Sequence, residues 1–205
     1  MKNYLMEFIG TFFFVFVIAM GGHAFAAAAM LMAWVYIGSL VSGGHFNPAV
    51  SLAVAMRGKL AWDKLAGYMI AQICGGIAAY LLTYYIHGQI LVPEPMVHLL
   101  PAFIVEILLA SVLALVVLVV TSTQKLSGHN TFGLAIGFTI PALAAIGKTT
   151  SGGLFNPAIA FGASIAAAIL GAHIALAHLV MYVVGALLGG ALASYLFHYF
   201  GMENK

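Results

Sequence analysis

Two nine-residue segments, 42–50 and 151–159, constrain this chain more than any other feature. They read Ser-Gly-Gly-His-Phe-Asn-Pro-Ala-Val and Ser-Gly-Gly-Leu-Phe-Asn-Pro-Ala-Ile, and they are identical at seven of the nine positions. Glycine permits tight turns, and proline is well tolerated in the first turn of a helix. Each segment therefore predicts a turn that runs into a helix. Their repetition predicts an internal duplication whose two halves meet at one functional site.

The composition excludes a soluble domain. Of the 205 residues, 64% are hydrophobic and only 6% are charged. Apolar runs, most of them close to the ~20 residues that cross a bilayer core, predict six spans at 4–22, 24–41, 65–86, 99–121, 132–146 and 175–200. Two apolar segments, 47–57 and 156–170, are too short to cross and predict half-helices that dip into the membrane.

The predicted fold is therefore an all-α membrane protein with six transmembrane helices and two re-entrant half-helices in an inverted repeat. We expect a single channel domain over residues 1–205, with repeats at approximately 1–98 and 99–205. The two half-helices then enter from opposite sides and meet near the bilayer midplane.

The basic residues predict the orientation. With six spans and the N-terminus inside, only Lys148 lies outside. The basic residues on the cytoplasmic side are Lys2, Arg57, Lys59, Lys64, Lys125 and Lys205. This bias predicts an integral membrane protein with both termini in the cytoplasm. Membrane lipid is thus an expected partner, and the slight net positive charge gives no reason to expect nucleic acid.

Each half opens with one carboxylate inside an apolar helix, Glu7 in the first and Glu106 in the second. An ionisable group inside a membrane is costly and functional by default. A proton relay would make the protein a pump or carrier. Alternatively, each carboxylate accepts hydrogen bonds from the re-entrant loop of its own half, because backbone polar groups at membrane depth must be satisfied internally. One carboxylate and one loop in each half favour this loop-bracing role.

Together these features resemble the aquaporin, or major intrinsic protein, family. The resemblance rests on both Asn-Pro-Ala boxes, on Glu-Phe-Ile-Gly-Thr-Phe at 7–12 and on Gly-Tyr-Met-Ile-Ala-Gln at 67–72, and it covers nearly the whole chain. It implies six tilted helices and two half-helices, assembled as a homotetramer in the plasma membrane with one pore in each subunit. It implies no enzymatic activity, cofactor or metal.

The resemblance also implies the residues of the pore. At the midplane, two half-helix N-termini with partial positive charge would disfavour a proton wire and repel cations. The residues implied there are Asn47, Pro48, Ala49, Asn156, Pro157 and Ala158. Backbone carbonyl groups would form a ladder of acceptors for passing solutes at Gly43, Gly44, His45, Gly152, Gly153 and Leu154. The His45 side chain is expected to brace its loop.

The chain departs from the family at the outer constriction. Ile159 follows the second box, where the family usually has an arginine. The other filter positions implied by the resemblance are Ala27, Ala144 and Gly153. The predicted outer filter is therefore wide and apolar, and we expect a passive channel for water and small uncharged solutes. The alternatives are a channel for ammonia, amides or gases with poor water conduction, and a poorly conducting structural membrane protein.

Lys148 is the basic residue nearest to this outer mouth. It could partly replace the missing arginine by raising the local potential. A lysine near the end of a span commonly extends to the lipid headgroups instead, and we favour that interpretation from sequence.

Overall fold

The fold is a bundle of helices. A computed structural model describes residues 1–90, 92–95, 97–126 and 128–204, and the regular secondary structure within these residues is entirely helical. The eight α-helices of this described part are α1 (Lys2–Ala19), α2 (Ala24–Ser39), α3 (Pro48–Met56), α4 (Trp62–His87), α5 (Leu99–Ser122), α6 (Phe132–Gly147), α7 (Pro157–Ile169) and α8 (Leu176–Tyr199). Short 3-10 turns follow α5 and α8, at Gln124–Leu126 and Met202–Asn204.

The predicted all-α architecture is confirmed, with differences in helix length. Helices α1, α4, α5 and α8 are long and apolar enough to cross a membrane, whereas α2 and α6 have 16 residues each. Sixteen residues extend about 24 Å, against about 30 Å for a hydrocarbon core. The third span begins at Trp62 rather than at 65, with Asp63 in its first turn, where a carboxylate is favoured by the helix dipole.

The two half-helices begin at the paired Asn-Pro-Ala boxes. The Asn47 Oδ1 atom accepts a hydrogen bond from the Ala49 N–H at 2.8 Å, and the Asn156 Oδ1 atom accepts one from the Ala158 N–H at 2.9 Å. Each asparagine is thus the N-cap of its helix, and the following proline occupies the first helical position. The sequence predicted both starting points.

The eight helices form two matching sets, α1–α4 and α5–α8. Helix α1 packs against α4 as α5 packs against α8, and α2 packs against α6. The half-helices cross over, because α3 lies against α8 and α7 lies against α4. The half-helix of each repeat therefore packs against a long helix of the other repeat.

Glycines allow these close contacts. A Cβ atom on Gly76 in α4 would collide with the carbonyl oxygen of Ala158 in α7. In the other half, a Cβ atom on Gly190 in α8 would collide with the carbonyl oxygen of Ala49 in α3. These glycines thus allow α4 and α8 to pack closely against the two half-helices within one subunit.

Both ends of the described chain lie on one face, which we call the inner face. Glu203 accepts a hydrogen bond from Arg57 at 2.7 Å and lies 3.7 Å from the Lys59 ammonium group. The hydrogen bond from Arg57 lowers the pKa of the Glu203 carboxyl group. Asn3 lines the same cavity as Lys59. An even number of membrane crossings accounts for both ends lying on the same face. Lys205, which the sequence places on the cytoplasmic side, lies outside the described residues.

We expect Gly76→Val to destabilise the protein by about 2 kcal/mol or more, since the added side chain must push α7 away from α4. Thermal unfolding in detergent would measure the change. Cys74→Val, at an exposed position of the same helix, is the matched control and should unfold like the native chain. Equal stability of Gly76→Val and the control would show that the close α4–α7 contact is not required.

Candidate functional site

Three cavities form a path from the inner face to the opposite side of the bundle, which we call the outer face. The outer vestibule has a volume of about 460 Å³, the central cavity about 10 Å³ and the inner vestibule about 420 Å³. Phe14 and Phe155 line both the outer vestibule and the central cavity, and His45 and Val117 line both the central cavity and the inner vestibule. Because neighbouring cavities share walls, they lie along one pathway. The smallest of the three, the central cavity, has about the volume occupied by one water-sized probe.

The outer vestibule brings together the four residues predicted to form the outer filter. They are Ala27 from α2, Ala144 from α6, Gly153 from the second loop and Ile159 from α7. Their side chains are small or apolar, and none is charged. The four filter positions are therefore uncharged, while the width of the filter and the role of these residues in selecting solutes stay predictions.

The central cavity is lined by the side chains of Asn47 and Asn156, each 3% exposed. The Asn47 amide donates a hydrogen bond to the Phe155 carbonyl oxygen at 3.0 Å. The Asn156 amide donates one to the Phe46 carbonyl oxygen, also at 3.0 Å. These reciprocal bonds join the two halves. Each amide nitrogen has a second hydrogen, which has no partner within the described ranges and is available to a solute.

The backbone at Phe46 and Phe155 adopts an uncommon conformation. Their φ angles are +48° and +32°, in the left-handed region that residues other than glycine rarely occupy. Such a conformation costs on the order of 1–3 kcal/mol and persists only when its surroundings enforce it. Here each carbonyl group accepts the amide hydrogen bond from the opposite half. The strained residues are therefore those that connect the two repeats.

The loops before the boxes carry free backbone acceptors. The carbonyl oxygens concerned accept no hydrogen bond from any group in the described part of the chain, and they belong to Gly43, Gly44, His45, Gly152, Gly153 and Leu154. Gly44 and His45 line the central cavity, and the residues of the second loop line the outer vestibule. The pathway thus offers acceptors from the loops and donors from the asparagines, while the ladder of bound solutes stays a prediction.

The Glu7 carboxylate is buried and holds the first loop. Its Oε1 atom accepts hydrogen bonds from the Ser42 hydroxyl group at 2.6 Å and the His45 N–H at 3.0 Å. Its Oε2 atom accepts from the Phe46 N–H at 2.7 Å and the Gln72 amide at 2.8 Å. Four donors therefore converge on one carboxylate.

The Glu106 carboxylate holds the second loop in the same way. Its Oε1 atom accepts from the Ser151 hydroxyl group and from the Leu154 N–H at 3.0 Å, and its Oε2 atom accepts from the Phe155 N–H at 2.6 Å. Each carboxylate thus bonds to the loop of its own half. In each carboxylate, both oxygen atoms accept hydrogen bonds from protein groups, so few acceptor sites are left for a relayed proton.

The two halves differ in the polar groups around these carboxylates. In the first half, the Gln72 amide also donates to the Ser51 hydroxyl group at 2.8 Å, and the His45 Nδ1 atom lies 3.1 Å from the same oxygen. His45 is therefore fixed by its own half-helix. In the second half, the corresponding positions are apolar: Ala186, Ala160 and Leu154.

Sequence reasoning missed several of these residues. Ser51 and Gln72 were given no role, and neither was Phe14, whose ring lines the pathway between the outer vestibule and the central cavity. Tyr68 donates to the Ser42 carbonyl oxygen and Tyr182 to that of Ser151. Aligning the two halves of the chain would have found these tyrosines, because they occupy equivalent positions in α4 and α8.

Comparisons with known proteins agree with this arrangement. The family profile described as Major intrinsic protein matches residues 1–197. Among similar proteins, glycerol uptake facilitator protein-like 6 of Lactiplantibacillus plantarum is 35% identical, with 100% of each chain covered. Aquaporin TIP2-1 of Arabidopsis thaliana is 32% identical over 96% of this chain and 86% of the relative. The aquaglyceroporin structure from Plasmodium falciparum matches in fold, with a TM-score of 0.85, 20% identity and coverage of 96% and 94%.

We expect Glu7→Gln and Glu106→Gln each to destabilise the protein by about 2–3 kcal/mol, since an amide NH₂ group would replace an oxygen that accepts backbone hydrogen bonds. Thermal unfolding would measure the loss. Glu94→Gln, at an exposed carboxylate, is the matched control and should have no effect. A well-folded Gln variant that loses only proton-coupled transport would contradict the bracing role.

Proposed function

Because this chain belongs to the major intrinsic protein family, we propose that it is a passive membrane channel for water and small uncharged solutes. The observation that carries the proposal is the pathway of three cavities, with the Asn47 and Asn156 amides at its centre. The family and the named relatives support the proposal. We propose no enzymatic activity, cofactor or metal.

The charges along the pathway support passive transport of neutral molecules. The N-termini of α3 and α7 meet at the central cavity, and each contributes a partial positive charge. A water molecule there would turn its oxygen toward the asparagine donors, which interrupts a proton wire and disfavours cations. Among the described residues, no carboxylate lines any of the three cavities. An ion-coupled carrier would need such a group.

The dimensions support a size limit at the centre rather than at the outer filter. The outer vestibule is about 460 Å³ in volume and carries only small or apolar side chains at the four filter positions. The central cavity is far smaller, and Phe14, Leu113 and Ile136 are among the side chains that line it. We therefore expect water and ammonia to pass more readily than urea, and urea more readily than glycerol.

The apolar lining of the central cavity favours a second candidate. Apart from Gly44, His45 and the two asparagines, the residues around it are apolar. A narrow apolar segment can hinder water by dewetting. A channel for ammonia, amides or gases with slow water conduction would result.

We propose that the protein works as a homotetramer in the plasma membrane, with its inner face toward the cytoplasm. Arg57, Lys59 and Lys64 on that face support the orientation. The matching helix sets support one channel domain over residues 1–205, divided into repeats at about 1–98 and 99–205. Each subunit would contain its own pore.

Stopped-flow light scattering of proteoliposomes tests the function. We expect water and ammonia permeabilities about tenfold or more above those of protein-free vesicles, which corresponds to ~1.4 kcal/mol or more on the barrier. Fast ammonia with unchanged water permeability would favour the second candidate. Uptake driven by a proton gradient would indicate a carrier, and the absence of any flux would indicate a structural role.

Ile159→Arg tests the outer filter. A guanidinium group in the vestibule adds bulk and hydrogen-bond donors, so we expect the ratio of urea to water permeability to fall by about tenfold, or ~1.4 kcal/mol. Ile169→Arg, at an exposed residue of the same half-helix, is the matched control and should leave the ratio unchanged. An unchanged ratio in Ile159→Arg would mean that this position does not influence selectivity.

Phe14→Ala tests the neck between the outer vestibule and the central cavity. Removing the ring widens the passage at a point that both cavities share, so urea permeability should rise at least threefold relative to water, or ~0.7 kcal/mol. Retained water flux would show that the variant is folded. Phe25→Ala, which shortens a more exposed ring farther from the centre, serves as the control. Equal ratios in both variants would place the size limit elsewhere.

A further inference from the structure

The outer vestibule has a basic residue at its edge. Among the residues that line this cavity, the titratable side chains are those of Lys148 and His23. The His23 Nδ1 atom accepts a hydrogen bond from the Ala26 N–H at 3.2 Å and so caps the N-terminus of α2. With histidine counted as neutral, the ammonium group of Lys148 is the full positive charge among the residues that line the vestibule.

The backbone fixes Lys148 above the filter. Its N–H donates to the Ala144 carbonyl oxygen at 2.8 Å, and its φ and ψ angles of −51° and −38° continue α6 by one residue. Residues four apart lie on the same face of a helix, so Lys148 lies one turn beyond the filter residue Ala144. Both residues line the outer vestibule.

The end of α6 is also joined directly to the filter loop. A Cβ atom on Gly147 would collide with the backbone of Gly153, and the Gly152 N–H donates to the Gly147 carbonyl oxygen at 2.9 Å. Lys148, which carries the charge, therefore directly follows Gly147, which contacts the filter residue Gly153. The backbone of Lys148 is thus held next to the filter loop.

No carboxylate pairs directly with this charge within the described ranges. Lys148 forms no ion pair there, and no carboxylate lines the vestibule. Glu106 is the carboxylate nearest to the second loop, but it is buried, it accepts hydrogen bonds from Ser151, Leu154 and Phe155, and it does not line the cavity. The Glu94 backbone carbonyl group lies beside Gly152, and its exposed side chain does not line the cavity either. A charge at a mouth with low-dielectric walls raises the local potential more than the same charge on an open surface.

We propose that Lys148 is a specificity-determining residue that makes the outer vestibule electropositive and disfavours cations at the entrance. The inference rests on the proposed channel function and deepens it. The four filter positions contribute no charge, so Lys148 provides the electrostatic selection against cations from the edge of the vestibule. Because Lys148 does not occupy a filter position, it does so without filling the filter. Neutral solutes such as ammonia enter, and ammonium and other small cations are depleted before they reach the centre. Extension of the lysine to lipid headgroups, which the sequence favoured, would leave the vestibule neutral.

The potential in the vestibule can be measured without any flux. Cys74 is the chain's single cysteine, so Cys74→Ser gives a thiol-free background in which Ala144→Cys places a thiol in the vestibule. The measured quantity is the rate of reaction with an anionic sulfonatoethyl methanethiosulfonate divided by that with a cationic trimethylammonioethyl reagent. The full chain would be held in phosphatidylcholine nanodiscs at low ionic strength.

We expect Lys148→Met to lower this anionic-to-cationic ratio by about tenfold, since the two reagents respond oppositely to one unit charge at short range. Lys148→Arg should preserve the ratio, and Lys125→Met, at an exposed lysine of the inner face, should leave it unchanged. The effect of Lys148→Met should shrink in high salt.

An unchanged ratio in Lys148→Met would overturn the proposal and indicate an ammonium group among the headgroups. A thiol at position 144 that reacts with neither reagent would overturn it as well, because the vestibule would then be closed to solution. Failure of the proposed channel function can be distinguished from failure of this proposal, because the ratio of the two labelling rates does not depend on conduction. A folded protein that conducts nothing but shows the expected loss in Lys148→Met would retain the assignment of Lys148.

Discussion

The reciprocal hydrogen bonds between the two Asn-Pro-Ala boxes are the interaction on which the rest of this structure depends. Asn47 donates to the Phe155 carbonyl oxygen, and Asn156 donates to that of Phe46. They lie at membrane depth, where lipid cannot satisfy backbone polar groups and partners must come from the protein or from the pathway. Without them, the carbonyl groups of the two strained residues Phe46 and Phe155 would lose their partners at the centre of the bundle. The same amides keep one hydrogen each for solutes, so one pair of side chains closes the fold and lines the pathway.

The asparagines provide donors for carbonyl groups at the centre, and the buried carboxylates provide acceptors for the N–H groups of the loops. Each re-entrant loop presents N–H groups that the turn leaves without partners, and one carboxylate in each half accepts them. Because a carboxylate offers several acceptor sites, it satisfies hydroxyl and backbone donors at once. The cost of burying the charge is offset by these charge-assisted hydrogen bonds. Loop, cap and carboxylate thus form one connected polar system within an apolar bundle.

Much of this arrangement could be predicted from sequence, for identifiable reasons. The repeated boxes indicated both half-helices, and one carboxylate in each half suggested its partner loop. The left-handed backbone at Phe46 and Phe155 could not be predicted, because it depends on a contact more than a hundred residues away. The chain from His45 through Ser51 to Gln72 was missed as well, since it joins three separate segments and has no counterpart in the second half.

The exchange of half-helices between the repeats has a consequence for synthesis. Helix α3 packs against α8, the last helix to be made, and α7 packs against α4. A nascent chain that has inserted its first four helices therefore holds a short re-entrant segment without its final neighbour. The glycines of α8 that contact α3 are available only after about 110 further residues have been translated, from the end of α4 at His87 to the end of α8 at Tyr199. Until then the first repeat is in the bilayer without the helix that completes its packing. If translation stopped between the repeats, the product would contain only the first repeat, and part of its re-entrant backbone would have no partner.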